Sequence, residues 1–548
     1  MPRKYGKKHH NNASHKRNNQ RHPVDLNTPV LTLYFFPLDH PMTHYSIYKY
    51  FRQFGDVDLV KLHDVQDLFS KAPKYGFVQF KDTAAALLAL SQPEHEIDGL
   101  KIKVNAAHRK HQPQQLTLNA QPLSTGYEAP GSDSLSNILN ALNDVCLRKI
   151  FWYLTAKDLC ATANVCVRFN ANAKQVFAVE YDVLDFEDVV VEENLTFCEL
   201  ESLLCTFNKE IKSVNVEGQY KETIVFLSML SEHCKNVKEI ELTALNLDKQ
   251  EFEILRPLLK HLESLRMFDN MCWPPSPTNF INEASNLKIF EYEGLPNHFR
   301  FPEKTLHKLH ELKLNGIGNA TVSSLNRFFE LNPSLEKVHI LSGDPIDTSR
   351  ILRTISDALT NLKELVFSTY KSKQFTIEKD LLLLAKLPSL TKLDLSFHQL
   401  SIAPLMKALQ KTPIQSLKIV EGLIDDAGVE NLSKLVGITS MEFIRCRDLQ
   451  NGHLIKMAKN LPNLSTLSIM DAKQITTSAI KEMVKHSTKM SFIFLQRVRK
   501  VIIGSNDYKE ILKMVKNQTK LTIEIYGSGG QVKVSDAVLS DWLIIEEN

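Results

Sequence analysis

A six-residue apolar pattern that returns every 22 to 28 residues most constrains the fold of this 548-residue chain. The pattern is Leu-x-x-Leu-x-Leu or a close variant, and in LHELKL, LEKVHI, LKELVF and LTKLDL it begins at residues 309, 335, 362 and 390. Further copies begin at residues 237, 262, 287, 414, 438 and 464. Each unit is long enough for one short strand and one helix, and neither element can bury its apolar face alone. Neighbouring units must therefore stack, with their strands side by side in a parallel sheet.

This period falls within the range of roughly 20–29 residues that leucine-rich repeats use, and residues 183–548 resemble that family. The resemblance implies a curved α/β solenoid whose strands line its concave face. The family often places Asn or Cys after the strand, where the side chain bonds the turn backbone, and Cys446 fits that position. We expect the concave face to bind a protein substrate through the variable residues between the buried leucines, among them Arg266, Glu291, Lys313, His339, Asp394 and Lys418.

A different periodicity runs through residues 29–107. Strand signals at 31–38, 56–62, 74–80 and 100–105 alternate with helical signals at 43–55 and 82–91. The order βαββαβ predicts a four-stranded antiparallel sheet with two helices packed on one face.

Two segments within this region, LYFFPL (33–38) and PKYGFVQF (73–80), resemble the hexamer and octamer of an RNA recognition motif. Strand alternation predicts that Leu33, Phe35, Val78 and Phe80 face the helices, which leaves the aromatic residues between them on the open face. Such aromatics stack on single-stranded bases, at about 1–3 kcal/mol per base. The side chains expected to bind RNA are Tyr34, Tyr75, Phe77, Lys101 and Lys103. Docking of a protein on this module stays an alternative.

A short helical segment follows within residues 135–182. Its sequence LNDVCLRKIFWYLTAKDLCATANVCVRF (142–169) has the spacing of three short helices and resembles an F-box, although Asn143 stands where that family has proline. The resemblance implies docking to the Skp adaptor of a cullin–RING ubiquitin ligase. The side chains expected to contact the adaptor are Leu142, Val145, Ile150, Phe151, Leu154 and Leu159. The alternative is that these side chains pack against the solenoid that follows.

Composition limits the remaining possibilities. Residues 1–24 contain seven Lys and Arg and no acidic residue, so residues 1–28 are predicted to be a disordered basic tail, and the Pro-, Gly- and Gln-containing segment 108–134 a flexible linker. No apolar stretch approaches the roughly 18 residues of a membrane span. The eight cysteines form no CxxC pair, which favours reduced thiols over a zinc site. We find no catalytic motif and expect no metal, cofactor or enzymatic activity.

The sequence therefore predicts an α/β multidomain protein that joins binding surfaces. The favoured hypothesis is a non-catalytic substrate receptor of a cullin–RING ligase, located in the nucleus or the cytoplasm, whose N-terminal module binds single-stranded RNA or a ribonucleoprotein. The alternative is an RNA-binding adaptor in messenger-RNA processing or export, with a protein-binding scaffold and no role in ubiquitin transfer.

Overall fold

The computed structural model describes residues 30–38, 44–63, 74–97, 99–107, 112, 142–218, 222–247, 249–268, 271–272, 281–294, 301–342, 346–369, 378–396, 401–446, 448–516, 519–527, 532–533 and 542–547. The chain forms two compact units: one comprises residues 1–130 with Thr196–Cys198, and the other residues 131–195 and 199–548. The predicted tail lies outside the described residues, as does the predicted linker apart from Gln112. None of the helices in the described part of the chain is both long and apolar enough to cross a membrane.

The first unit is built on one antiparallel sheet. Its elements are β1 (Thr32–Leu38), α1 (His44–Arg52), β2 (Val57–His63), β3 (Lys74–Phe80), α2 (Thr83–Ser91), β4 (His95–Ile97) and β5 (Leu100–Ala106). The strands lie in the order β2-β3-β1-β5-β4. The prediction of four strands was therefore wrong by one: β4 pairs with β5 in a hairpin next to Gly99, whose φ of 81° suits a tight turn. A strand of three residues, such as β4, is too short for an alternating pattern to be recognised in the sequence.

One face of this sheet forms the core of the first unit. Leu33, Phe35, Val78 and Phe80 are almost completely buried, which confirms the predicted alternation. Gly76 shares this face, directly opposite Phe35, and a Cβ atom at residue 76 would lie 2.4 Å from the Phe35 ring. A larger residue there would displace the ring from the core.

The second unit begins with three short helices: α3 (Asp144–Phe151), α4 (Ala156–Ala163) and α5 (Val167–Glu180). Each has a side-chain cap at its N-terminus. Asn143 accepts a hydrogen bond from the Cys146 amide at 2.9 Å, and Thr155 accepts one from the Asp158 amide at 3.2 Å. Asn is among the best N-cap residues, whereas proline has no side-chain acceptor. The departure from the F-box pattern at residue 143 therefore gives α3 a cap.

The rest of the second unit is organised by a fifteen-stranded parallel sheet whose strands lie in chain order. They are Val183–Asp185, Ser213–Glu217, Glu239–Thr243, Ser264–Phe268, Ile289–Glu293, Glu311–Asn315, Lys337–Ser342, Glu364–Thr369, Lys392–Ser396, Ser416–Val420, Ser440–Ile444, Thr466–Met470, Phe492–Gln496, Leu521–Tyr526 and Leu543–Glu547. All ten copies of the repeated pattern form a strand, and in each the strand begins two residues after the pattern does. The second and third apolar positions of the pattern, such as Leu393 and Leu395, are buried.

Helical elements lie between many of these strands: Glu187–Glu192 (π), Phe197–Thr206, Thr223–His233, Lys249–Leu259, Asn319–Leu331, Thr348–Ala358, Glu378–Leu381, Leu382–Lys386 (3₁₀), Ala403–Leu409, Asp426–Leu432, Asn451–Asn460, Thr477–His486 and Ser505–Val515. Two small parallel sheets join Asn246–Leu247 to Met271–Cys272 and Ile503–Gly504 to Val532–Lys533.

The residue after several strands adopts a left-handed backbone conformation. This position is taken by Ala244, Gly316, Glu421, Arg445, Asp471, Arg497 and Gly527. In five of these seven residues the amide donates to the last carbonyl of the next strand, as in Arg445 to Met470 at 2.9 Å. One residue further on, the buried Cys446 thiol donates to the Ile419 carbonyl at 3.5 Å, so this bond reaches the neighbouring strand rather than the turn backbone expected from the repeat pattern. These bonds stack each turn on its neighbour.

Candidate functional site

The open face of the first sheet carries a cluster of aromatic rings. The centroid of the Tyr34 ring lies 5.4 Å from those of Tyr75 and Phe77 and 5.3 Å from that of Phe36. All four side chains are only partly buried, whereas the aromatics on the opposite face are sealed in the core. Partly exposed rings at this spacing offer a surface on which unpaired bases can stack. The structure thus brings the three predicted aromatics together and adds Phe36.

Strand pairing sets the order of side chains across this face. Lys61 lies opposite Phe77, Phe77 opposite Tyr34, and Tyr34 opposite Asn105. Paired residues of antiparallel strands project to the same side. The two central rings are therefore flanked by an exposed cation on β2 and an exposed amide on β5.

The two predicted lysines on β5 differ in their surroundings. Lys103 is exposed and lies opposite Phe36, beside the aromatic cluster. The Lys101 ammonium instead donates to the Glu94 carboxylate at 2.8 Å, and this bond raises the pKa of Lys101. Glu94 competes with any phosphate for Lys101, so Lys103 is the better placed cation.

The aromatic cluster has two further features, the ionisation state of Tyr34 and the hydrogen bonding at the start of β1. Burial, with a smaller effect of Tyr75, raises the pKa of Tyr34, so its phenol stays neutral. The Gln112 side chain accepts from the Leu31 and Thr32 amides at 3.0 and 2.9 Å and donates to the carbonyls of Thr32 and Ala107. It thereby satisfies backbone groups at the start of β1.

Sequence reasoning missed Phe36, Lys61, Asn105 and Gln112. The alternation of side chains along β1 could have predicted Phe36, because it lies two residues after Tyr34 and thus on the same face. Lys61 and Asn105 depend on the register of the pairing, which alternation alone does not give. The four bonds of Gln112 had no signal in the sequence.

A second exposed surface belongs to the three short helices. Large apolar side chains of this segment are turned to solvent: Val145 is 65% exposed, Ile150 50%, Trp152 48%, Tyr153 81%, Val165 64%, Val167 88% and Val179 59%. Val145, Trp152, Tyr153 and Val179 border a pocket of about 570 Å³ together with Lys149. We call the exposed side chains of α3–α5 and their connections the helical apolar face. Exposed apolar side chains that border one pocket, as Val145, Trp152, Tyr153 and Val179 do, mark an interaction site more often than a freely solvated surface.

The residues predicted to contact an adaptor divide between this face and the interior. Val145 and Ile150 lie on the face, and Leu142 and Leu154 are half-buried. Phe151 and Leu159 are 4% and 0% exposed, so the structure corrects their assignment as contact residues. Their side chains point into the packing of the helices, where the Phe151 ring meets the Phe169 ring edge-on at 5.2 Å. Because these short helices carry apolar residues on more than one side, the sequence alone does not show which of those residues are buried.

The buried side of the helices packs on the segment that follows. The Phe177 ring of α5 stacks on the Phe207 ring with centroids 3.9 Å apart. The Glu193 carboxylate accepts hydrogen bonds of 2.9 Å from the amides of Ala156 and Lys157, at the N-terminus of α4. A negative charge is favourable there because it meets the positive end of the helix dipole. The helices are therefore fixed on one side while the helical apolar face stays open.

Charged side chains on the fifteen-stranded sheet form in-register ladders. Glu241, Arg266, Glu291 and Lys313 are successive partners on neighbouring strands, with ion-pair distances of 3.6, 3.7 and 3.6 Å. A second ladder joins Asp394, Lys418 and Glu442. The predicted concave residues thus lie in register, but their alternating charges largely neutralise one another and select no ligand type.

The thiols and carboxylates of the described residues form no cluster suited to a metal ion. The seven cysteines described with their side chains are free thiols, and burial raises the pKa of Cys234 to about 12 and of Cys446 to about 11. Thiols with raised pKa values are poor nucleophiles.

Comparison with known proteins identifies the first unit. A family model for the RNA recognition motif matches residues 33–103. RNA-binding protein 38 of Xenopus laevis is 35% identical over 111 residues, which cover 19% of this chain and 51% of that protein. RNA-binding protein 24 of Gallus gallus is 36% identical over 88 residues, which cover 16% of this chain and 38% of that protein. Residues 33–103 therefore form an RNA recognition motif, and the chain spans about half the length, or less, of these relatives.

A solved structure covers more of the chain at lower similarity. In the crystal structure of the Rad7 and Elc1 complex in yeast, a similar chain is 15% identical, with a TM-score of 0.36. The match covers 76% of this chain and 95% of that one.

Proposed function

We propose that this protein is a non-catalytic substrate receptor of a cullin–RING ubiquitin ligase that also binds single-stranded RNA. In this proposal α3–α5 are an F-box that docks a Skp-type adaptor, and the fifteen-stranded array is a leucine-rich-repeat solenoid that holds a protein substrate. The RNA recognition motif would contribute RNA or a ribonucleoprotein to the same assembly. The observation that supports the ligase role is the helical apolar face.

The RNA-binding part rests on the open face of the first sheet. Its match to the RNA recognition motif covers β1 and β3, and the rings of Tyr34, Tyr75 and Phe77 lie within 5.4 to 6.0 Å of one another. Bases of single-stranded RNA stack on such rings without strong sequence preference. Lys61 and Lys103 are placed to meet phosphates beside them.

The ligase part rests on how the apolar residues of α3–α5 are divided. The buried set already anchors the helices, so the exposed set is not needed for their packing. Val145, Ile150 and Val167 are exposed to water. Each Å² of their apolar surface that a partner buried would contribute roughly 25 cal/mol of binding free energy. A partner that lays a groove over this face would gain that energy. Together with the F-box pattern around Ile150 and Cys166, this favours the Skp adaptor as the partner.

Such a receptor needs no chemistry of its own. It would hold a substrate on the array and the ligase on the helices, which raises the effective concentration of one near the other.

The alternative is an RNA-binding adaptor without a ligase role, and the match of residues 33–103 favours it to the same extent. In that case the helical apolar face would be covered by a partner other than the Skp adaptor. The two proposals differ only in what binds α3–α5, so one binding experiment separates them.

The experiment is co-purification of the intact protein with a recombinant Skp adaptor, quantified by calorimetry. Val145→Asp combined with Ile150→Asp places two charges in the helical apolar face, and we expect at least a 100-fold loss of adaptor affinity. Val436→Asp is the matched control, because Val436 is 56% exposed on the array and Ile150 is 50% exposed. Adaptor binding by the double variant at the wild-type level, with an unchanged circular dichroism spectrum, would refute the ligase role.

A further inference from the structure

A basic cleft lies where the first strands of the fifteen-stranded sheet begin. It has a volume of about 450 Å³ and a single carboxylate, Glu263, in its lining. Six lysines surround it: Lys209, Lys212, Lys235, Lys238, Lys288 and Lys308. We call this set the lysine cleft.

Its charge is only partly neutralised. The Glu263 carboxylate is shared between the ammonium groups of Lys238 and Lys288, at 2.8 and 2.6 Å. These hydrogen bonds lower the pKa of Glu263 to about 2, so it stays ionised and offers one negative charge to two lysines. Lys209, Lys212 and Lys235 are exposed, and within the part of the chain that the structure describes they form no ion pair.

The charged side chains of the lysine cleft, Glu263 among them, form an extended row rather than a ring. Lys212, Lys238, Glu263 and Lys288 each immediately precede a strand, on four consecutive turns of the array. The amide of each of the last three donates at 2.7 Å to the carbonyl of the one before. Neighbouring strands are about 4.8 Å apart, so the row extends for roughly 15 Å. Lys308 carries it further and is positioned by the Asn286 side chain at 2.7 Å.

We propose that the lysine cleft binds the backbone phosphates of single-stranded RNA. The inference rests on the proposed RNA-binding function and extends it to a second surface. A row about 15 Å long that carries three lysines for one carboxylate matches a chain of phosphates better than a single anion. Lysine is a point charge that does not read bases, so the cleft would add affinity without sequence preference.

An acidic protein segment is the other class of partner that such a row could attract. RNA is favoured because residues 33–103 of the same chain form an RNA recognition motif. An acidic peptide also tends to bring apolar side chains, whereas the lining consists of lysines, a histidine, asparagines and one glutamate.

The test uses the full chain and fluorescein-labelled 30-nucleotide oligouridine at several salt concentrations. In Lys212→Ala/Lys235→Ala/Lys308→Ala we expect about tenfold weaker binding at physiological salt. We also expect the slope of log affinity against log salt to fall by about 2, since each phosphate contact contributes about 0.7 for single strands. The matched control is Lys407→Ala/Lys411→Ala/Lys459→Ala, which removes three exposed lysines elsewhere on the array. Identical affinity and slope in the two triple variants would overturn the proposal.

A second variant separates this inference from the proposed function. Tyr34→Ala/Phe77→Ala removes the stacking platform and leaves the lysines in place. If only this variant loses RNA, the RNA recognition motif binds RNA and the cleft proposal fails; if only the lysine variant loses RNA, the cleft stands and the role of the platform fails. Loss in both supports both. Polyglutamate binding that depends on the three lysines, with RNA binding unchanged, would assign the cleft to an acidic protein and overturn the inference.

Discussion

The ring of Tyr34 lies 5.4 Å from the ring of Phe77, its direct partner on the neighbouring strand. Tyr34 immediately precedes Phe35, and Phe77 immediately precedes Val78; both Phe35 and Val78 are buried in the core. One pair of strands thus supplies both the interior of the module and its binding surface. Because successive side chains of a strand point to opposite faces, the binding surface can be altered without disturbing the core.

Removing either central ring should weaken RNA binding and leave the fold intact. We expect Tyr34→Ala and Phe77→Ala each to cost about 1–3 kcal/mol of binding free energy for single-stranded RNA. Tyr34→Phe keeps the stacking surface and should bind nearly as wild type, which makes it the control. Fluorescence anisotropy would measure the affinities, and wild-type affinity for Tyr34→Ala would contradict the platform.

The two lysines of β5 should contribute unequally. We expect Lys103→Ala to lower the salt slope of RNA binding by about 0.7, and Lys101→Ala to lower it by less, because Glu94 competes for Lys101. Glu94→Gln removes the competitor and should make the Lys101→Ala effect equal to that of Lys103→Ala. Equal effects in the presence of Glu94 would show that the ion pair does not limit Lys101.

Gly316 should be irreplaceable in the turn after its strand. Its φ is 78°, and a Cβ atom there would lie 2.2 Å from the Gly294 carbonyl oxygen. We expect Gly316→Ala to destabilise the second unit by more than about 1 kcal/mol, since the backbone conformation and the contact are both incompatible with alanine. Gly452→Ala is the control: no heavy atom lies within 4 Å of its Cβ position, which is helical, so it should be neutral or stabilising. Urea denaturation followed by far-ultraviolet circular dichroism compares them.

The stack of Phe177 on Phe207 should be essential for anchoring the helices. Both rings are fully buried. Phe207→Ala would leave a cavity and remove the stacked surface, at an expected cost of about 3–5 kcal/mol. Phe207→Leu should retain most of that energy. Hydrogen exchange of the amides of α5 would locate the effect, and protection unchanged in Phe207→Ala would show that the helices are held elsewhere.

An ion pair between turns should make the array sensitive to acid. The Arg497 guanidinium donates two hydrogen bonds of 2.6 Å to the Asp471 carboxylate and lowers its pKa below the usual value. An acid with a depressed pKa in the folded state stabilises above its unfolded pKa of about 3.9, and this contribution is lost as pH falls through the folded value. We expect Asp471→Asn to destabilise the array at neutral pH and to match wild type at the lowest pH. A parallel shift at every pH would contradict the linkage.

Much of this architecture follows from periodicity. The repeated pattern located ten strands with one constant offset, because positions such as Leu393 and Leu395 must be buried wherever the chain repeats. Alternation likewise placed Tyr34 and Phe77 on the open face. These features depend on residues close in sequence, so a local pattern can encode them.

Features set by distant partners could not be predicted. The division between Ile150, which is half exposed, and Phe151, which is buried, depends on what packs against α3 from residues further along the chain. The pairing of Lys101 with Glu94 depends on the hairpin of β4, and the lysine cleft on four turns coming into register. Each joins side chains whose proximity only the fold creates.

Chain order and spatial order coincide throughout the fifteen-stranded sheet. Deleting one complete repeat would therefore place side by side two strands that can pair in the same parallel register. The array would then be one repeat shorter. Deleting half a repeat would leave a helix facing a strand and break the stack. The length of this scaffold can therefore change in whole turns, and the charge ladders along it would be shortened or extended while the remaining pairs kept their partners.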